Sequence, residues 1–208
     1  MPDSAQLLAF TAAALLLAVI PGPGMLYVAA RSLSGGRSVG VRSSVGTAVG
    51  GTAHVLAAAV GLSAILATSA TAFAVVKYVG AAYLLWLGLT TIRSAGTSAT
   101  AFDEAPGGPD KGALRQGAVT ELLNPKTALF FLTFLPQFCQ PENGPVALQA
   151  AVLGLISISL NTAIDIVVAF VVGPLGQRLM RNFKLWRRQR QATGGLLVGL
   201  GVYTAVRN

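Results

Sequence analysis

Between Val146 and Leu175 the chain carries a single ionisable side chain, Asp165, within the run VALQAAVLGLISISLNTAIDIVVAFVVGPL. A helix needs about 20 apolar residues to cross the hydrocarbon core of a bilayer, and this run is longer than that. A charge within such a span costs about 3 kcal/mol or more and is a functional-site hypothesis by default. Two further interruptions fall in other apolar runs, Pro21-Gly22-Pro23-Gly24 and Asn124-Pro125-Lys126. The three features together point to a transporter.

Composition supports the membrane reading. Charged residues make up 11% of the 208-residue chain, against about 25% in a soluble domain, and the mean hydropathy is +0.66. The chain reads as an all-α integral membrane protein forming one domain over residues 1–208. Its net charge is +8, but the basic residues lie between apolar runs. That is membrane topology, not a phosphate-tracking surface, so nucleic acid is not an expected partner. Cys139 is the single cysteine, which excludes an intrachain disulfide, a CxxC pair and a thiolate metal cluster. No basic residue precedes Arg31, so the first apolar run lacks the positive start of a signal peptide and is expected to stay in place.

Six transmembrane helices are expected, at Leu7–Ala30, Val41–Ala67, Phe73–Ile92, Leu114–Leu135, Val146–Leu175 and Ala192–Val206. The stretches after the first, third and fifth helices, with Arg42 and Arg115 at the very starts of the helices that follow, hold 12 of the 15 basic residues, whereas 68–72 and 136–145 hold none. The positive-inside rule makes the basic side cytoplasmic and places both termini outside. The polar stretch Thr97–Lys111 divides the chain into halves of about 1–96 and 112–208. Three helices per half is an odd number, so two such halves would be inverted repeats. What the halves share in sequence is a proline break in the first helix of each.

Depth brings the unusual residues together. Counted from Arg31 and Arg115, Gly22 and Asn124 each lie about 14 Å into the membrane; counted from Arg42 and Arg178, His54 and Asp165 lie about 18 and 20 Å in. Two prolines flanked by glycines interrupt a helix, and backbone groups freed in lipid must be buried or line a wet cavity. The half-helix N-termini near Gly24 and Lys126 suit a substrate carboxylate. Asp165 suits a substrate ammonium or a transported proton. The candidate site is Pro21, Gly22, Pro23, Gly24, His54, Glu121, Asn124, Pro125, Lys126, Asn161 and Asp165.

Plainer readings stand beside these. The Pro-Gly break could be only a kink. Asp165 could simply pair with Lys126. His54 follows Gly46 and Gly50 at four-residue spacing, a helix-packing stripe on which it is either a hydrogen-bonded passenger or a working residue. Glu121 is either a proton site or a solvated group nearer the interface. Gly195 and Gly199 read as packing glycines.

Over nearly its whole length the chain resembles the LysE/RhtB family of amino-acid exporters. The matching elements are PGPG at 21–24, RSLSGGRSVG at 31–40, GTAVGGTAH at 46–54, KYVGAAYLLWLG at 77–88 and RQGAVTELLNPKTALFFLTFLPQF at 115–138. The resemblance implies a six-helix exporter with inverted repeats in a bacterial cytoplasmic membrane, driven by an ion gradient and dimeric. Family members commonly carry Asp or Asn directly after PGP, where this chain has Gly24, so no side-chain ligand carries over there. Position 121 more often holds an amide in the family, which makes Glu121 a candidate compensating charge.

The expected function is therefore a secondary exporter of amino acids or related small zwitterions, coupled to a proton or another ion, with no cofactor, no metal and no enzymatic activity. A divalent metal exporter would want several His or carboxylate ligands close together, which one His and few acids do not supply. An intramembrane hydrolase using His54 lacks a serine context that singles out a nucleophile.

Overall fold

The computed structural model describes residues 2–68, 70–93, 112–180 and 183–206; the linker expected at 97–111 lies outside them. Among the described residues every regular element is helical. The α-helices are α1 (Ser4–Val19), α2 (Pro23–Thr68), α3 (Ala70–Arg93), α4 (Ala113–Leu122), α5 (Pro125–Leu129), α6 (Val146–Met180) and α7 (Phe183–Val206). Between α5 and α6 lie a π-helical turn, Phe130–Phe134, and two 3₁₀ turns, Leu135–Phe138 and Pro141–Asn143.

The first apolar run is interrupted where its prolines sit. α1 stops at Val19, Ile20 is extended at ψ 119°, and α2 starts with Pro23 at its first position, where the missing N–H of proline removes no hydrogen bond. α2 is a helical hairpin and not one rod. Gly36 adopts φ 82°, ψ 179°, a backbone open to glycine. The turn brings Ser32 against Gly40, which residues two turns apart in a straight helix cannot do. This corrects the expectation of a loop over residues 31–40, because one left-handed glycine reverses the chain. Arg31 is correspondingly buried, at 2% exposure.

Two seams fix the hairpin. Along one, Gly46 and Gly50 lie against the carbonyls of Leu114 and Ala118, and a β-carbon at either glycine would overlap them. The matched four-residue steps make the second arm of α2 parallel to α4, in the small-residue packing mode of membrane helices. Along the other, Gly51 faces Ile158 while Val55 faces Gly154, so that arm runs antiparallel to α6. α3 and α7 form a further close pair, with Gly88 against Gly194 and Ala81 against Gly201. The glycines expected to pack here, Gly195 and Gly199, instead meet nothing within 4 Å. Helical spacing assigns residues to a common face but not that face to a neighbour.

α7 starts at Phe183, not Ala192, because backbone hydrogen bonding carries a helix through exposed Arg187 and Arg188 just as well as through apolar residues. The core joins Phe10 of α1 to Phe130, Phe134 and Phe138, with ring centroids 5.3–6.4 Å from Phe10. Below them Gln149 clasps the 140–145 turn: its amide donates to the carbonyls of Gln140 (2.7 Å) and Gly144 (3.0 Å) and its oxygen accepts from Gln140 N.

The outer surface is apolar. Among the described residues, Leu8, Val60, Trp86, Leu155 and Val167 are all more than half exposed. Among the described residues, Val146–Val172 of α6 is long and apolar enough to cross a membrane, and the stretch Pro23–Gly61 passes the same test of length and composition although it turns back at Gly36.

Candidate functional site

The two breaks face each other, and each is completed by groups from the opposite side. Pro125 has no N–H to give the carbonyl of Glu121 four residues back. Asn124 therefore turns extended (φ −75°, ψ 108°) and caps α5, its Oδ1 accepting from Lys126 N at 3.0 Å, the expected chemistry for an Asn-Pro helix start. The freed Glu121 carbonyl accepts from Asn124 N at 3.0 Å and from His54 Nε2 at 3.0 Å. A carbonyl only accepts, so Nε2 carries the imidazole proton. The His54 ring also stacks on Phe131, 6.1 Å between centroids.

The same rule applies at the first break. Pro21 leaves the carbonyl of Leu17 without its helical donor. Lys126 Nζ reaches across and donates to Leu17 O (3.1 Å) and Ile20 O (2.8 Å). One ammonium thus satisfies the open end of α1, and its carrier is the first residue after the second proline break.

Between the breaks lies a cavity of about 20 Å³, close to the size of a single water. An amino acid is larger than one water, so binding it here needs the walls to part. The cavity is walled by Gly22 and Met25 at the first break, Thr47 and Gly51 of α2, Glu121, Asn124, Lys126 and Thr127 around the second break, and Ile158, Asn161, Thr162 and Asp165 of α6. Asp165 is 6% exposed, and its Oδ2 lies 3.1 Å from Thr47 Oγ1, whose single hydrogen is shared with the Ser44 carbonyl at 2.9 Å. Glu121 accepts at both oxygens, from Thr127 Oγ1 (2.5 Å) and Asn124 Nδ2 (2.9 Å). Asn161 donates its amide to Ser157 O within α6 at 3.0 Å.

The sequence matches the LysE type translocator family over residues 15–208. The chain belongs to that family. A membrane protein of Vibrio cholerae is 31% identical over 95% of each chain. A homoserine/homoserine lactone efflux protein of Salmonella typhimurium is 31% identical over 91% of each, and a leucine efflux protein of Klebsiella pneumoniae is 25% identical over 93% of this chain and 89% of its own. No solved structure matches. The chain is thus a membrane transport protein of the LysE type.

Of the residues read from sequence, the fold brings Gly22, Glu121, Asn124, Lys126, Asn161 and Asp165 onto this LysE translocator's cavity. Pro21, Pro23 and Pro125 shape its walls from behind. Gly24 is buried beneath Glu121, and His54 stands outside as the partner of the Glu121 carbonyl. The plain pairing of Asp165 with Lys126 is not formed: the ammonium is taken up by backbone carbonyls, and among the described residues no cation lies within ion-pair distance of Asp165. Sequence reasoning passed over Thr47 and Thr127, the hydroxyls that hold the two carboxylates. A threonine one turn after Glu121-Leu122-Leu123-Asn124 was a usable signal; Thr47, in a small-residue stretch, offered none. Among the described residues no three of His, Cys, Asp and Glu group as a metal site.

Proposed function

We propose that this LysE-type translocator is a secondary exporter of amino acids or related small zwitterions in a bacterial cytoplasmic membrane, working by exchange against an inward ion gradient, a proton gradient in the first instance. The observation that carries this reading is the meeting of two broken helices at a cavity walled by two carboxylates and one ammonium, Glu121, Asp165 and Lys126. A zwitterion presents the complementary pair of charges. The relatives named for efflux of homoserine, homoserine lactone and leucine point to the same class of cargo.

Six spans arranged as two inverted three-helix repeats fit the packing. Breaks at 20–22 and 123–124 occupy equivalent places in the two halves. α1 packs on α6 as the second arm of α2 packs on α4, while the second arm pairs with α6 and α3 pairs with α7. Exchanging the halves about a two-fold axis would interchange or preserve these four pairings, which is what supports the reading. In such a plan, one bundle rocks on the other around the fixed site. The cytoplasmic basic loops and external termini follow from the positive-inside distribution.

The test is efflux from proteoliposomes loaded with radiolabelled leucine or homoserine, with and without an imposed proton gradient. Gradient-accelerated release supports the reading. Release of neither compound, in vesicles shown to be tight, overturns it for these cargoes.

A further inference from the structure

The two carboxylates on the cavity are not equivalent. Glu121 is immobilised at both oxygens by Thr127 and Asn124, and its own carbonyl is held by His54. Asp165 has at most a share of one donor, the Thr47 hydroxyl, which faces its Oδ2 and also the Ser44 carbonyl, and its Oδ1 accepts from no described residue. The Glu121 carboxylate also has a particular seat. A β-carbon at position 24 would overlap Glu121 Oε2 and lie 3.3 Å from its Cδ. Only glycine at 24 leaves the carboxylate where it is, over the first turn of α2, where the positive end of the helix dipole favours an anion.

We propose that Glu121, seated over Gly24, is the receptor for the ammonium group of the transported compound, and that Gly24 and Glu121 form a specificity-determining pair. This rests on the exporter reading above. An acceptor fixed in advance orients an incoming N–H donor without losing side-chain freedom on binding. Each Glu121 oxygen accepts one hydrogen bond and retains a second acceptor site. Lys126 Nζ has one donor beyond the two given to Leu17 and Ile20, which serves the far, anionic end of a zwitterion. Asp165, across the cavity on α6 and held at a single oxygen, is left for the coupling proton. Residue 24 then sets where the negative charge stands: any side chain there drives the carboxylate off the turn of α2.

The pair is tested by moving the carboxylate across the gap. In proteoliposomes loaded with leucine or homoserine, E121Q is expected to raise KM at least tenfold with a smaller change in maximal rate. E121A is expected to lose most transport, and G24D combined with E121A to recover at least tenfold over E121A alone, because the carboxylate returns to the same space from the other side. An unchanged KM in E121Q, or a double variant no better than E121A though folded and inserted, overturns the proposal. Melting temperatures of purified protein supply a readout independent of cargo. G24A is expected to lower the melting temperature in the natural background and leave it unchanged in E121A. Additive shifts overturn the shared-space argument. If the natural protein releases neither cargo, the exporter reading fails while this melting cycle still decides whether Gly24 and Glu121 share one seat.

Discussion

Lys126 Nζ lies 2.8 Å from the carbonyl oxygen of Ile20, so the second helix break supplies the cation that closes the first. The two discontinuities are one structural unit. Any movement that opens the cavity between α1 and α5 has to stretch or re-form this contact and its companion to Leu17.

Lys126→Met is therefore expected to strip the Ile20 carbonyl of its ammonium donor in a low-dielectric setting and leave the Leu17 carbonyl with the Ile20 N–H alone. A hydrogen bond to a charged group contributes about 1.5–3 kcal/mol, and a loss on that scale should appear as a clear drop in melting temperature together with loss of efflux. Because the ammonium serves carbonyls and not Asp165, the combination Asp165→Asn with Lys126→Gln should not restore transport. Recovery in the double variant would mean that the two side chains neutralise each other after all.

The breaks themselves make a second prediction. Replacing Pro21 and Pro23 by Ala permits helix to run from α1 into α2 and removes the need for Lys126 at the Leu17 carbonyl. Membrane insertion should be normal and efflux largely lost. Undiminished efflux would reduce the Pro-Gly break to a bend with no part in transport.

His54 provides a contrast. Its Nε2–H serves the Glu121 carbonyl from outside the cavity, so His54→Ala should destabilise the protein by about 1 kcal/mol, the net worth of one hydrogen bond, because the carbonyl keeps the Asn124 N–H. His54→Gln, which can keep an N–H donor, should recover most of that stability. Efflux should keep its dependence on external pH in His54→Gln; a displaced pH profile would show that the imidazole carries a proton.

Orientation is checked by reporter fusions. Placed at Gly36, Gly107 and Gln189 they should read cytoplasmic, and after Asn208 external. A cytoplasmic C-terminus would sink the six-span arrangement.

What could be read from sequence was whatever is local to the chain. Asn124-Pro125 announces a cap and a helix start because the cap hydrogen bond spans two residues. Gly46 and Gly50 announce close packing because their spacing is that of one helix face. The contacts of Lys126 with Leu17 and Ile20 span more than a hundred positions and depend on the register between helices, which no local pattern encodes. The same gap explains Gly195 and Gly199: their spacing names a face, but α3 packs on the neighbouring one through Gly194 and Gly201. Arg31, expected between two helices, is instead helical and buried, since the turn needed only Gly36.

Asp165 yields the last prediction. It is buried in α6 at 6% exposure beside the Thr47 hydroxyl, whose one hydrogen it shares with the Ser44 carbonyl, and among the described residues no cation is close enough to neutralise it. Asp165→Asn keeps the shape and the Thr47 contact while removing the ionisable group. If Asp165 carries the coupling proton, efflux driven by a proton gradient should fall at least tenfold. Exchange of labelled for unlabelled cargo, which needs no net proton movement, should persist. If it instead binds the cargo ammonium, both should fall together, and the division of roles between Glu121 and Asp165 would be wrong. Thr47→Val offers a milder form of the same test. It removes the donor but leaves the carboxylate, so gradient-driven efflux should shift its dependence on internal and external pH while exchange continues. Full activity in Asp165→Asn would take Asp165 out of the mechanism and leave Glu121, Lys126 and the helix ends as the working groups.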